Sequence, residues 1–70
     1  MMTEEQLLWI EENRTIFTAN VSTSKENVEK VYEIYNTITG ENKRPNGCAR
    51  CWVTTKKRVL KEYLDLGNLF

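Results

Sequence analysis

The 70-residue chain contains no histidine, only one aspartate and no glycine-rich phosphate-binding loop. Histidine is the usual general acid–base and a frequent metal ligand, so its absence removes most hydrolytic and metal-dependent schemes. The paired glutamates Glu4-Glu5 and Glu11-Glu12 are predicted on an open helix face, which is not the setting of a catalytic carboxylate pair. We therefore predict a protein that is not an enzyme and that holds no cofactor by itself.

Long hydrophobic runs are also missing, since the longest extends only from Leu7 to Ile10. A membrane-spanning helix needs about 20 consecutive apolar residues, so no membrane association is expected. The first residues, MMTEEQ, are acidic where an export signal is basic. These two observations predict a cytoplasmic location.

Charge is balanced overall but divided along the chain. Residues 1–42 carry eight acidic and three basic residues, a net charge of −5, and residues 43–70 carry seven basic and two acidic residues, a net charge of +5. The 40% apolar and 29% charged composition is typical of a folded protein. A chain of this length holds one hydrophobic core, so we predict a single domain over residues 1–70.

Three segments have the apolar spacing of amphipathic helices, at residues 4–18, 24–38 and 48–65. A basic loop at 40–47 lies between the second and third segments and holds the only proline and two of the three glycines. Short connections between helices of this length predict an all-α fold, a small bundle of about three short amphipathic helices.

The first segment begins with a predicted capping box, in which Thr3 is the N-cap and Gln6 stands three residues further on. Its end is left open between Asn13 and Asn20, because the stretch TIFTANVS also suits a strand. The side chains predicted to share its buried face are Leu7, Leu8, Trp9, Ile10, Ile16, Phe17 and Val21.

The second segment is predicted to begin with Thr23 as N-cap, to form another capping box with Glu26, and to end at Gly40. Its apolar side chains recur at steps of three and four, as a helix with one buried face requires. They are Val28, Val31, Tyr32, Ile34, Tyr35 and Ile38.

The third segment separates an apolar side from a basic side. Lys56 alone among its basic residues falls within the apolar side, so its stem is predicted to lie along the core with its ammonium group reaching outward. The predicted apolar side consists of Trp52, Val59, Leu60 and Tyr63, with Val53 and Leu64 at its edge.

Cys48 and Cys51 form a Cys-x-x-Cys pair at the predicted start of the third segment. Packing is the favoured interpretation, because cysteine behaves as a small apolar residue, with Cys48 beside Trp52 and Cys51 the more exposed. Zinc needs four ligands, so only two chains sharing their pairs would complete a site, as a zinc-bridged dimer. A redox pair would gain from the helix N-terminus and Arg50 but lacks the usual βαβ unit, and a disulfide here closes only a tiny loop.

Basic residues of the loop and of the third segment are the strongest candidates for contact with a partner. Cations on one helical face beside a basic loop suit phosphate contacts, with Thr54 and Thr55 as further donors, so nucleic-acid binding is one interpretation. Zero net charge favours instead an acidic protein partner or a solvated face. The predicted partner-binding residues of this basic face are Lys43, Arg44, Arg50, Lys57, Arg58 and Lys61.

The acidic half of the chain offers a partner for the basic half. If copies of the protein meet, the −5 half of one can face the +5 half of another, which predicts salt-sensitive, head-to-tail assembly. A second, apolar contact with a neighbour is predicted at the end of the sequence. It consists of Leu66, Leu69 and Phe70.

The chain is rich in Asn, Lys, Thr and Glu and carries the stretch TGENKRPNGCARCW between two short helical segments. In these respects it resembles the small uncharacterised proteins of tailed bacteriophages. That resemblance implies a virion accessory protein or a host-takeover factor, located in the virion or in the host cytoplasm. We expect a non-catalytic structural or protein-interaction module, either an oligomer or docked on a larger assembly, with nucleic-acid binding through the third helix and a zinc-bridged dimer as the alternatives.

Overall fold

The structure, a computed structural model, describes residues 2–18, 23–45 and 49–68. It contains four helices, which are α1 (Glu4–Glu12), α2 (Arg14–Thr18), α3 (Lys25–Thr39) and α4 (Ala49–Asp65). Helices take up 77% of the described residues, with no strand among them, so the predicted all-α fold is confirmed. Over those same residues, no helix is both long and apolar enough to cross a bilayer.

The predicted capping box at the start of α1 is present. The Gln6 backbone N–H donates to Thr3 Oγ1 at 3.1 Å, and the Thr3 N–H donates to Gln6 Oε1 at 3.0 Å, so two otherwise unpaired donors are satisfied. Gln6 is itself buried, and its Nε2 donates to Thr37 Oγ1 at 3.1 Å. One side chain therefore both caps α1 and ties it to α3.

The structure divides the first predicted segment into two helices at Asn13. The Asn13 side-chain Nδ2 donates to the Trp9 carbonyl at 2.9 Å and so competes with the helical backbone pattern. Beyond this interruption α2 turns Ile16 into the core, and the Phe17 ring meets the Trp9 ring edge-on at 6.3 Å. Val21, predicted on the same face, lies outside the described residues.

The helix α3 begins and ends one residue later than the predicted range 24–38, and the predicted Gly40 cap is confirmed. Ser24, not Thr23, is the N-cap, because its Oγ accepts the Asn27 N–H at 3.2 Å. Thr23 instead accepts from Asn27 Nδ2 at 2.8 Å, so the predicted Thr23–Glu26 capping box is wrong. Gly40 ends the helix in the left-handed conformation, with φ 73° and its N–H donating to the Asn36 carbonyl.

The core lies between α3 and α4 and is closed by α1 and α2. Its fully buried side chains are Ile10, Val31, Ile34 and Val59. Met2, Ile16, Tyr35 and Tyr63 complete the buried cluster.

Lys56 is buried in α4, as predicted for a lysine whose stem lies along the core. Its Nζ lies 5.1 Å from the centroid of the Trp52 ring, which is within the range of a cation–π contact. Trp52 is in turn stacked on Tyr32 of α3, with 6.4 Å between the ring centroids and 13° between the ring planes. The aromatic pair therefore joins α3 to α4, and the Trp52 ring stabilises the Lys56 ammonium group.

Three apolar side chains that the sequence placed on or beside buried faces point into solvent. Leu8 of α1 is 56% exposed, although it was predicted to widen the buried face. Val53 and Leu64 of α4, predicted at the edge, are 38% and 44% exposed. The helices that pack on α1 and α4 cover only one side of each, so both helices present leucine or valine outward.

Candidate functional site

The loop after α3 is fastened to that helix by one side chain. Asn36 Nδ2 donates to the Lys43 carbonyl at 2.9 Å, and the Lys43 N–H donates to Asn36 Oδ1 at 3.0 Å. The amide group thereby pairs with both backbone groups of Lys43, as a neighbouring strand would. This arrangement holds the basic loop against α3.

A second cluster fixes the side chains of the same loop. The Tyr35 hydroxyl donates a 2.7 Å hydrogen bond to Glu41 Oε2, and Glu41 Oε1 lies 3.9 Å from Lys43 Nζ. The Tyr35 hydrogen bond, and then the Lys43 charge and the Thr39 side chain, hold the pKa of Glu41 below its ordinary value. The Nζ atom of Lys43 lies 5.3 Å from the centroid of the Tyr35 ring, and this proximity to Tyr35, followed by the charge of Glu41, raises the pKa of Lys43.

We expect Tyr35→Phe to raise the pKa of Glu41 toward its ordinary value, because the substitution removes the largest cause of the lowering. A group whose folded pKa is depressed stabilises the fold above its unfolded pKa and loses that contribution as pH falls through the folded pKa. As pH falls through the folded pKa of Glu41, the variant should therefore lose less stability than the wild type does. Carboxyl-carbon NMR titration of Glu41 measures the shift, with Tyr32→Phe as control, and an unchanged Glu41 titration in Tyr35→Phe would contradict the assignment.

The loop and the first turns of α4 enclose a cleft of about 460 Å³, which we call the basic cleft. It brings together three of the six predicted basic residues, two from the loop and one from α4. A shallower cleft of similar volume adjoins it on the side of α3, shares part of its lining, and adds Glu29 and Glu33, so its charge is mixed. The basic cleft is lined by Tyr32, Lys43, Arg44, Arg50, Cys51, Thr54 and Thr55.

The other three predicted basic residues lie further along α4 and do not line this cleft. Arg58 forms an ion pair with Glu62 at 3.8 Å, so its charge is partly used within the helix. Lys57 and Lys61 are exposed. The six residues therefore do not form one surface. Three line the basic cleft, Lys57 and Lys61 are exposed on α4, and Arg58 pairs with Glu62.

The outward side of α4 combines cations with apolar side chains. Val53, Lys57, Leu60 and Leu64 recur at steps of four, three and four, and therefore follow one side of the helix. Within the described part of the chain, no carboxylate forms an ion pair with Lys57 or with the flanking cations of this side. We call this surface the α4 outer face, made of Arg50, Val53, Lys57, Leu60, Lys61 and Leu64.

The structure describes only half of the cysteine pair. Cys51 is exposed on the wall of the basic cleft. Cys48, predicted beside Trp52, lies outside the described residues. Over residues 2–18, 23–45 and 49–68, no three His, Cys, Asp or Glu side chains form a group suited to a metal. The zinc-bridged dimer stays a prediction.

The predicted apolar contact at the end of the sequence is described in part. Leu66 lies in the turn that follows α4 and is 44% exposed. Leu69 and Phe70 lie outside the described residues.

Sequence reasoning missed two contributors to these surfaces. Tyr32 lines the basic cleft, although its spacing in the sequence predicts an ordinary core residue. Its ring stacks on Trp52 of α4, a contact that the sequence does not indicate. Leu8 was assigned to the core by its apolar character, although its neighbours Glu4, Glu5, Glu11 and Glu12 indicate a solvent-facing position, because they stand three and four residues from it on either side.

Comparison with known proteins finds no significant match for this chain. No protein-family model matches the chain, and no significant match occurs among curated proteins or among solved structures.

Proposed function

We propose that this chain is a non-catalytic protein-interaction module that binds an acidic, amphipathic helix on the α4 outer face. The observation that carries the proposal is the coincidence of exposed Val53 and Leu64 with three cations, none of which has an ion-pair partner among the described residues. A solvated face would need the cations but not the apolar row between them.

The two components of this face have different roles in binding. Burial of Val53 and Leu64 by a partner supplies affinity, at about 25 cal/mol for each Å² of apolar surface removed from water. The flanking cations orient the partner and raise its association rate. A partner that satisfies both components carries leucine-like residues at steps of three and four, with glutamates beside them.

A synthetic helical peptide with that pattern tests the proposal, with a matched peptide in which lysine replaces each glutamate as its control. We expect the acidic peptide alone to bind the wild-type protein. The double substitution Val53→Ser with Leu64→Ser should weaken binding at least tenfold, because it removes the apolar contacts while leaving every charge in place. Fluorescence anisotropy of the labelled peptide measures the affinity.

Leu66→Ser is the matched control, since Leu66 is as exposed as Leu64 but follows the end of α4. It should leave peptide binding unchanged. Weakened binding in Leu66→Ser, with normal binding in the double variant, would move the contact to the end of the sequence. Equal binding of the acidic and basic peptides would reject the role of charge.

Nucleic-acid binding is the second candidate function, and the basic cleft favours it. Lys43, Arg44 and Arg50 converge on one cavity with the Thr54 and Thr55 side chains, and such cations and hydroxyls contact phosphates. Titration of a mixed-sequence DNA duplex at rising salt tests this candidate. Binding that falls steeply with salt and is lost on replacing Arg44 and Arg50 by alanine would favour it over the protein-interaction module.

A further inference from the structure

The outward side of α1 has the opposite chemistry to the α4 outer face. Leu8 is the most exposed large apolar residue of the described chain, at 56%. The four glutamates that stand three and four residues from it are all exposed, and over the described residues none of them forms an ion pair. We call this surface the α1 outer face, made of Glu4, Glu5, Leu8, Glu11 and Glu12.

We infer that the α1 outer face of one copy docks on the α4 outer face of a second copy. The inference rests on the proposed function and names its partner, because α1 is itself an acidic amphipathic helix of the kind the α4 outer face requires. Leu8 would lie among Val53, Leu60 and Leu64. The four glutamates would face the three cations, so that every cation lies opposite a carboxylate and the exposed apolar side chains of the two surfaces lie against each other.

The dimensions of the two surfaces agree. Glu4 and Glu12 are separated by eight residues, or about 12 Å along the helix axis, and Arg50 and Lys61 by eleven residues, or about 16 Å. The acidic surface is therefore shorter than the basic one and fits within it. Since the two faces are different, the contact is heterologous. A docked pair keeps one unused α4 outer face on one copy and one unused α1 outer face on the other, and both are available for further growth.

The other acidic helix does not fit this role. The exposed side of α3 also carries glutamates, but Lys25 and Lys30 lie among them, and Lys30 pairs with Glu33 at 3.8 Å. No exposed large apolar residue of the described chain belongs to α3. Among the helices of the described residues, only α1 presents both an unbroken negative surface and a leucine at its centre.

Two charge-reversed variants of the full chain test the inference. Glu11→Lys with Glu12→Lys alters only the α1 outer face, and Lys57→Glu with Lys61→Glu alters only the α4 outer face. The wild type should show a mass that rises with concentration and falls in 1 M salt, and each variant alone should remain monomeric at the same concentrations. An equimolar mixture should restore the rise of mass with concentration, because the intact faces of the two variants are complementary and the two reversed faces are also opposite in charge.

Sedimentation-velocity ultracentrifugation measures these masses, and far-UV circular dichroism verifies that each variant is folded. Glu26→Lys with Glu29→Lys on α3 is the control of equal charge, and it should assemble as the wild type does. A wild type that is monomeric throughout, or a mixture of the two folded variants that stays monomeric, overturns the inference. If the synthetic peptide still binds in that case, the proposed function stands and only the identity of the partner is wrong.

Discussion

Replacing Ile34 by alanine should lower the free energy of unfolding by about 3 kcal/mol, the largest effect expected of any conservative change in this chain. Ile34 is fully buried on α3, the helix that packs most extensively on α4. The substitution loses the burial of three carbon atoms and leaves a cavity at the centre of the core. A 70-residue domain has a total stability of roughly 4–10 kcal/mol, so this loss removes about a third to three quarters of it.

Urea denaturation followed by circular dichroism measures the loss. Ile34→Val, which removes one methyl group, should cost about 1 kcal/mol. Ile38→Ala makes the same change as Ile34→Ala at a half-buried position of the same helix, and it should cost clearly less. Equal losses at Ile34 and Ile38 would contradict the placement of the core between α3 and α4.

Gln6→Ala should lower the free energy of unfolding by about 2 kcal/mol, although glutamine is a polar residue on the first turn of a helix. The change removes the acceptor for the Thr3 N–H and the 3.1 Å hydrogen bond to Thr37. Each such bond contributes about 1 kcal/mol, and the buried stem of the side chain adds packing.

A double-mutant cycle with Thr37→Val isolates the contact between α1 and α3. Thr37→Val alone should cost about 1 kcal/mol, because it leaves Gln6 Nε2 without that acceptor. Adding it to Gln6→Ala should cost less than the sum of the two changes. Strict additivity would show that Gln6 acts only as part of the capping box.

Patterns within one helix were sufficient to predict much of this fold. The Thr3–Gln6 capping box, the glycine end of α3 at Gly40 and the buried stem of Lys56 all depend on residues within a turn or two of each other. These features follow from spacing and side-chain chemistry alone. For the first predicted segment, only the end was placed, between Asn13 and Asn20, and the second helix after Asn13 was not predicted. A side chain that bonds back to the Trp9 carbonyl competes with a helix that propensity would continue.

The features that define the candidate sites depend on contacts between distant parts of the chain. The basic cleft exists because Asn36 holds Lys43 against α3, and no sequence pattern relates these two residues. The exposure of Leu8 and Val53 depends on how much of each helix its neighbours cover. Apolar spacing identifies a face that is able to be buried, but only the packing of the other helices decides whether it is.

The two walls of the basic cleft are carried by different helices. Lys43 follows α3, because the Asn36 side chain binds its backbone, whereas Arg50 and Thr54 belong to α4. The distance between these cations therefore depends on how α3 packs on α4. A substitution of Val59 in the core would alter that distance without changing any residue that lines the cleft. For the same reason, an anion that contacts both walls would link the two helices and should raise the melting temperature of the whole domain.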